Sequence, residues 1–523
     1  MRIWAYSRFG KAQNGKGMGI KMNKILFEKL NNRKDELYCI DHILEERIMT
    51  SDLSSESIYV ANYLWKKGVR KGDKVAIILN QEYGYHILSL YFANIWIGAI
   101  SVPISPGYSG EEKEFVLGKC DPKVIITTED IIDKLSVKYA GVTEFIDIKQ
   151  LLAGIRKEMP DELVFSMPSL EGDDVLAILF TAGTTGHAKG VCMSVNTLVV
   201  NLKKNGERFG YDSKTRMMLM SPLVHASTIT HAIILPALFG FSVVLNEIFN
   251  LKLCSRFWDI VEKDEVTVVL SVPSMLASIL LFKNHFHHNL EHFKYFMCGS
   301  AVLLESLQKE FEQTFKVRVN EFYASTETGI IATTLPDETI SNRWKPLEGT
   351  TVKISDDGEI LVSSNYLFKG YVKDEEETQE SLFRDANENI WYRTGDVGVI
   401  DEQGFLKITD RKKDIIIKGG FNISPKQVDS IIIKHPNVSE VATVGVPSEM
   451  YGEEVVAAVQ VKQENQNSEN ELLQYCRDNM NSMICPSKVL ILPQLPKTNM
   501  GKIDKKKIQS MITCKKEESY GKL

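Results

Sequence analysis

One stretch of this 523-residue chain carries residue types suited to holding a polyphosphate: Phe180-Thr181-Ala182-Gly183-Thr184-Thr185-Gly186-His187-Ala188-Lys189-Gly190. Glycines allow successive backbone N–H groups to turn inward, and a concave row of amides attracts oxyanions. Thr181, Thr184 and Thr185 add short hydroxyl donors, and Lys189 adds a positive charge. The order is not the Walker one, because Lys189 precedes Gly190 and no hydroxyl residue follows the pair. A threonine- and glycine-rich loop is by itself more often a plain flexible surface loop, so its reading rests on partners elsewhere in the chain.

Four further segments supply such partners. Asn320-Glu321-Phe322-Tyr323-Ala324-Ser325-Thr326-Glu327-Thr328-Gly329 offers an aromatic, hydroxyls and a carboxylate. Trp391-Tyr392-Arg393-Thr394-Gly395-Asp396 ends on a second carboxylate. Asp410-Arg411-Lys412-Lys413-Asp414 is a charged knot, and Pro496-Lys497-Thr498-Asn499-Met500-Gly501-Lys502 places a lysine near the C-terminus. Each has a purely structural reading as well. Tyr323 could be a packed core aromatic, Glu327 or Asp396 a cap or turn residue, Lys502 a surface lysine and His225 a satisfied core histidine.

The elements that must position these groups follow from apolar patterning. From about residue 55 to 330, the runs Val75–Leu79, Lys123–Thr127, Val175–Phe180, Val266–Val272 and Val317–Phe322 alternate with longer amphipathic stretches such as Leu303–Phe315. That texture predicts α/β architecture, parallel strands with crossover helices. Beyond residue 345, Val352–Ile354 and Glu359–Val362 flank Asp357-Gly358, which predicts hairpins and a β-rich subdomain. After the knot come Gly419-Gly420, Ser424-Pro425 and about a hundred residues with their own α+β pattern. The organisation expected is an extension over 1–21, a large N-terminal domain over 22–409, a hinge at 410–413 and a small mobile C-terminal domain over 414–523.

Composition excludes several classes. A net charge of −6 provides no general nucleic-acid footprint. The eight cysteines show no zinc spacing and suit a reducing compartment, so a cytoplasmic protein is expected. The apolar stretches His86–Pro103 and Ile229–Leu245 are broken by Gly98 and by Pro236 and Gly240, and read as helix, glycine stop, then strand, not as integral membrane segments.

In their order and spacing, the five segments resemble the acyl-adenylate-forming superfamily, which includes acyl-CoA synthetases, aryl-acid ligases, firefly luciferase and nonribosomal peptide synthetase adenylation domains. The resemblance covers nearly everything from Met22 to Lys502. It implies that Thr181, Gly183, Thr184, Thr185, Gly186 and Lys189 wrap the ATP phosphates. Gly299, Ser300 and Ala301 would line the adenine and one wall of the acyl pocket. Tyr323, followed by Ala324 and Ser325, would stack on adenine, Thr326 would bond the α-phosphate, and Glu327 would ligate Mg²⁺. Asp396 would accept from the ribose hydroxyls, and Arg411 would contribute from the domain boundary. Lys413 would be the hinge, and Gly419 and Gly420 would line the thiol tunnel. His225 falls at a pocket-gating position, and Lys502 would bridge acid and nucleotide in the first step. The departures are small: Ala182 and Ala188 stand where the family commonly has serine and proline, and Ala324 where it has glycine.

The implied chemistry is acid plus MgATP to acyl-AMP and pyrophosphate, then transfer of the acyl group to a thiol, with coenzyme A favoured. Alternatives are an adenylating enzyme that loads a carrier protein in trans, and a luciferase-like oxygenase. No Asp or Glu occurs between Ser213 and Asn246, so a substrate α-ammonium would lie unpaired in an apolar pocket. A carboxylic acid without that amine is expected.

Overall fold

The computed structural model describes residues 22–139, 141–155, 157, 160, 162–181, 188–301, 303–338, 342–418, 421–448, 451–462, 468–497 and 503–520. Of the site candidates, Gly183, Thr184, Thr185, Gly186, Gly419, Gly420 and Lys502 lie outside these residues. The chain divides into two compact units. The first comprises Met1–Thr351 with Ser363–Tyr392, and the second Val352–Val362 with Arg393–Leu523.

Two α/β sheets build the first unit. In the six-stranded sheet the order is Glu144–Asp147, Val124–Thr127, Lys74–Ile77, Ile100–Pro103, Val175–Thr181, Lys189–Ser194. Its first five strands run parallel, and the last returns antiparallel with Thr181 opposite Lys189. The Thr/Gly segment therefore joins two neighbouring strands and leads into no crossover helix. The nine-stranded sheet has a parallel centre: Arg318–Ser325, Tyr295–Cys298, Val268–Ser271, Arg216–Leu219, Ser242–Leu245 and Leu37–Asp41. Antiparallel strands flank it, with Gly329–Thr333 and Lys345–Pro346 on one edge and Glu46–Met49 on the other. As the apolar runs imply, the central strands are buried on both faces; Phe257, Phe296, Phe311 and Phe315 fill one side.

The two glycine-broken stretches fold as the sequence indicates. His86–Ile97 is a buried helix stopped by Gly98 in a left-handed conformation (φ 77°), and Ile100–Pro103 follows as a strand. Thr228–Ile234 is π-helical and continues as Leu235–Phe239 up to Gly240 (φ 80°) and the strand Ser242–Leu245. Among the described residues no helix is long and apolar enough to cross a membrane. The seven cysteines described are free, buried thiols.

In the second unit, Arg393–Ile400 pairs antiparallel with Leu406–Arg411, register Asp396 opposite Arg411. A further sheet contains Phe421–Ile423, Ile416–Lys418, Gly452–Val461 and Val438–Ser448, with Lys488–Ile491 parallel to Gly452–Val461. Helices Pro425–Ile432 and Glu469–Asn479 cover one face through Val428, Ile432, Leu472 and Cys476.

Candidate active site

Strand order in the nine-stranded sheet selects a location. From Arg216–Leu219 the chain proceeds to its neighbour on one side, Ser242–Leu245. From the neighbour on the other side, Val268–Ser271, it proceeds away toward Tyr295–Cys298. Connections leaving two adjacent parallel strands in opposite directions open a crevice at their carboxyl ends, where α/β sheets bind ligands. His225 lies on the segment leaving Arg216–Leu219, Gly299–Ala301 follow the neighbouring strand Tyr295–Cys298, and Tyr323–Glu327 span the end of Arg318–Ser325 and the turn after it. The strand Arg318–Ser325 is parallel to its neighbour up to Glu321. It then pairs antiparallel with Gly329–Thr333 across a bulge between Tyr323 and Ala324.

Gly299 is dictated by packing. A Cβ there would sit 2.3 Å from the Phe322 ring, so no other residue lets these strand ends approach. Ser300 follows at φ 66°, a left-handed conformation that costs a residue bearing a Cβ; Ser300 and Ala301 are exposed. Tyr323 is nearly buried and packs against Trp344, with ring centroids 6.0 Å apart and planes inclined 27°. Ser325 and Thr328 share a hydroxyl–hydroxyl hydrogen bond of 3.0 Å. Thr326 and Glu327, half-buried, complete the turn into Gly329. His225 sits in the loop after Arg216–Leu219, where its Nδ1 lies 3.3 Å from Ser227 Oγ.

Lys189 joins this group through a residue that sequence reasoning missed. Its ammonium pairs with Glu377 and stands 5.3 Å from the centroid of the Tyr371 ring. The Tyr371 hydroxyl donates to Glu327 Oε1 at 3.1 Å. The segment carrying Tyr371 runs beside Lys189–Ser194: Val372 N–H donates to the Gly190 carbonyl (2.8 Å), and Cys192 N–H to that of Gly370 (3.0 Å). Gly190 permits this approach, since a Cβ there would meet Val372 Cγ1 at 2.5 Å. Burial first, then the Glu327 charge, holds the Tyr371 phenol well above its ordinary pKa, and Tyr392 is raised by the same two causes. The first unit thus brings Lys189, Glu327 and Tyr323 around Tyr371 and Tyr392. Thr181 is placed directly across the hairpin from Lys189.

Asp396, Arg411 and Lys413 belong to the second unit. Asp396 is buried, and its Oδ1 accepts from Arg411 Nε at 2.7 Å. The turn before it is fixed by Glu359, whose Oε1 accepts from Gly395 N–H (3.0 Å) and whose Oε2 accepts from Lys412 (2.9 Å). Asp357, bonded to Lys412 and Ser355, is held down at about 2. Desolvation, and next the neighbouring Arg411, lowers the proton affinity of Lys413.

A divalent cation is a fair fit to Glu327. Hard cations take carboxylate oxygen, and nucleotide-site Mg²⁺ is commonly held by one or two carboxylates plus phosphate and water. No cluster of three or more metal-binding side chains occurs among the described residues, so any cation there would take its other ligands from those sources.

Residues 27–372 match the AMP-binding enzyme family and 427–502 the AMP-binding enzyme C-terminal domain. A long-chain-fatty-acid–CoA ligase, FadD13, of Mycobacterium tuberculosis (strain ATCC 25618 / H37Rv) is 30% identical over 85% of this chain and 89% of its own. A medium-chain fatty-acid–CoA ligase of Escherichia coli (strain K12) is 27% identical over 87% and 84%. ATP-bound MatB from Rhodopseudomonas palustris superposes with a TM-score of 0.85 at 25% identity, covering 94% of this chain and 99% of that one. The o-succinylbenzoate coenzyme A synthetase of Bacillus subtilis, solved with ATP and magnesium, gives 0.80 at 25% identity over 92% and 98%.

Proposed function

We propose, from the premise that this chain belongs to the AMP-binding enzyme family, that it joins a carboxylic acid to coenzyme A in two steps. It is an AMP-forming, acyl-CoA synthetase-like ligase. In the first step the acid's carboxylate oxygen attacks the α-phosphorus of ATP, giving acyl-AMP and expelling pyrophosphate. In the second the thiol sulfur attacks the acyl carbon, the thioester forms, AMP leaves and the thiol proton passes to solvent.

The observation that carries this reading is the convergence of Lys189 and Glu327 on Tyr371, beside the Tyr323–Thr326 turn. Lys189 and the loop amides receive the β- and γ-phosphates, Thr326 the α-phosphate and Tyr323 the adenine. Magnesium bound at Glu327 supplies neutralisation of phosphate charge. Asp396 receives the ribose hydroxyls. Two anions must meet in the first step, and Lys502 is assigned the cation between them. Residues 410–413 serve as the hinge between half-reactions, with Lys413 in the hinge position. His225 borders the acid, and the apolar Ile229–Leu238 stretch receives a fatty or aryl group without an α-amine.

Carboxylate-dependent ATP–pyrophosphate exchange over fatty, aryl and amino acids tests this, paired with coenzyme A-dependent AMP release. Exchange with fatty or aryl acids is expected. Exchange with amino acids alone would overturn the substrate reading, and no exchange with any acid would overturn the reaction.

A further inference from the structure

Nothing in the role given to Glu327 explains how a lone half-buried carboxylate is kept in one orientation. The surroundings of Tyr371 do. Its ring is only 8% exposed, and its backbone is tied on both sides and at its own N–H, which donates to Thr378 Oγ1 at 2.9 Å. The same segment grips the main chain of Glu327, since Phe368 N–H donates to the Glu327 carbonyl at 2.7 Å. Backbone and side chain of Glu327 are therefore both referred to one short stretch, Phe368–Tyr371. Tyr371 spends its own proton on Glu327.

From this geometry we propose that Tyr371 is a positioning residue: its hydroxyl holds Glu327 Oε1 so that the carboxylate meets a divalent cation pre-oriented. The proposal rests on the reading of Glu327 as the cation's carboxylate. A carboxylate on a flexible stem must otherwise lose rotamer freedom when the cation binds. Groups that orient a metal ligand from behind are worth about 10- to 100-fold in metal affinity when removed.

The test is calorimetric binding of a non-hydrolysable ATP analogue to the full-length protein at increasing Mg²⁺, which needs no turnover. Tyr371→Phe keeps the ring beneath Lys189 and removes only the hydroxyl. It should raise the Mg²⁺ needed for half-maximal binding about 10-fold or more, with analogue affinity in the absence of Mg²⁺ unchanged within about twofold. In a Glu327→Gln background the same change should add nothing, because the coupling runs through the carboxylate. An unchanged Mg²⁺ titration in Tyr371→Phe, or a shift that persists in the Glu327→Gln background, overturns the proposal. Glu327→Gln without effect on the Mg²⁺ titration overturns instead the reading of Glu327 beneath it. Should Tyr371→Phe fail to fold, Thr378→Val, which removes the acceptor of the Tyr371 N–H, must show a smaller shift in the same direction; no shift there is equally fatal.

Discussion

Glu327 in the first unit and Asp396 in the second are both held by donors, but donors of opposite character. Glu327 accepts from the buried phenol of Tyr371, a neutral group anchored by its backbone. Asp396 accepts from Arg411, whose side chain is 49% exposed and reached by water and salt. A neutral donor in a dry setting fixes a geometry and survives changes of pH and ionic strength. An ion pair with a hydrated partner is worth little on balance and exchanges readily. The contrast suits the roles proposed for them, one carboxylate keeping a fixed orientation toward a cation and the other trading a guanidinium for ribose hydroxyls.

Two buried groups, one in each unit, titrate with opposite sign. His231 is 5% exposed and pushed down to about 4 by burial. Its neutral form is the one the fold favours, so its contribution to stability is full above about pH 6.5 and lost as pH falls toward 4. Asp429, half-buried and accepting from Thr443 N–H at 2.8 Å, is pushed up to about 6 by desolvation. Its protonated form is favoured, so its contribution is full below about pH 4 and lost as pH rises through 6.

The sharpest break in the comparison is chemical. Lys502→Ala should lower acid-dependent pyrophosphate exchange by about 10³-fold while leaving thioester formation from supplied acyl-AMP within a few fold. Equal loss of both half-reactions would remove the lysine from the first step. Glu327→Gln should cost about 10²-fold in the same exchange assay, and excess Mg²⁺ should recover part of it. Next comes stability. His231→Gln should abolish an acid sensitivity worth up to about 3 kcal/mol between pH 6.5 and 4, read from urea unfolding at each pH. Asp429→Asn should flatten a slope of opposite sign, at most about 2 kcal/mol given partial access of solvent, and raise stability at pH 7. Parallel slopes for the two variants would dissolve the contrast. The smallest effect is expected of Arg411→Gln, a change of about threefold in nucleotide affinity that shrinks in high salt. A salt-independent loss would mean that the pair is not the exchangeable one described.

Much of the candidate site is legible because its residues are contiguous: Tyr323 lies near the end of one strand, Thr326 and Glu327 form the turn that follows it, and Thr181 and Lys189 flank one loop. Both glycine-stopped helices were legible too, since a left-handed stop at Gly98 or Gly240 is a local property. Other features were hidden by distance along the chain. Tyr371 meets Glu327 across 44 residues, and Glu377 meets Lys189 across 188. No local pattern marks either pair, although Tyr371 follows a glycine that faces the hairpin. The return strand Lys189–Ser194, antiparallel to Val175–Thr181, was likewise unseen, because a loop's residues do not say where the chain goes after it.

By itself, then, the amino-acid order determined the chemistry on offer: amides and lysines able to hold phosphate, a carboxylate able to take a hard cation, and a stretch from Ser213 to Asn246 without acids. Residue type sets charge, donor capacity and backbone freedom wherever a side chain ends up. Only the tertiary structure decided which groups meet and in what medium. Glu327 acquires a fixed orientation, His231 its neutrality and Gly299 its necessity from segments remote in sequence, because burial and contact are properties of packing.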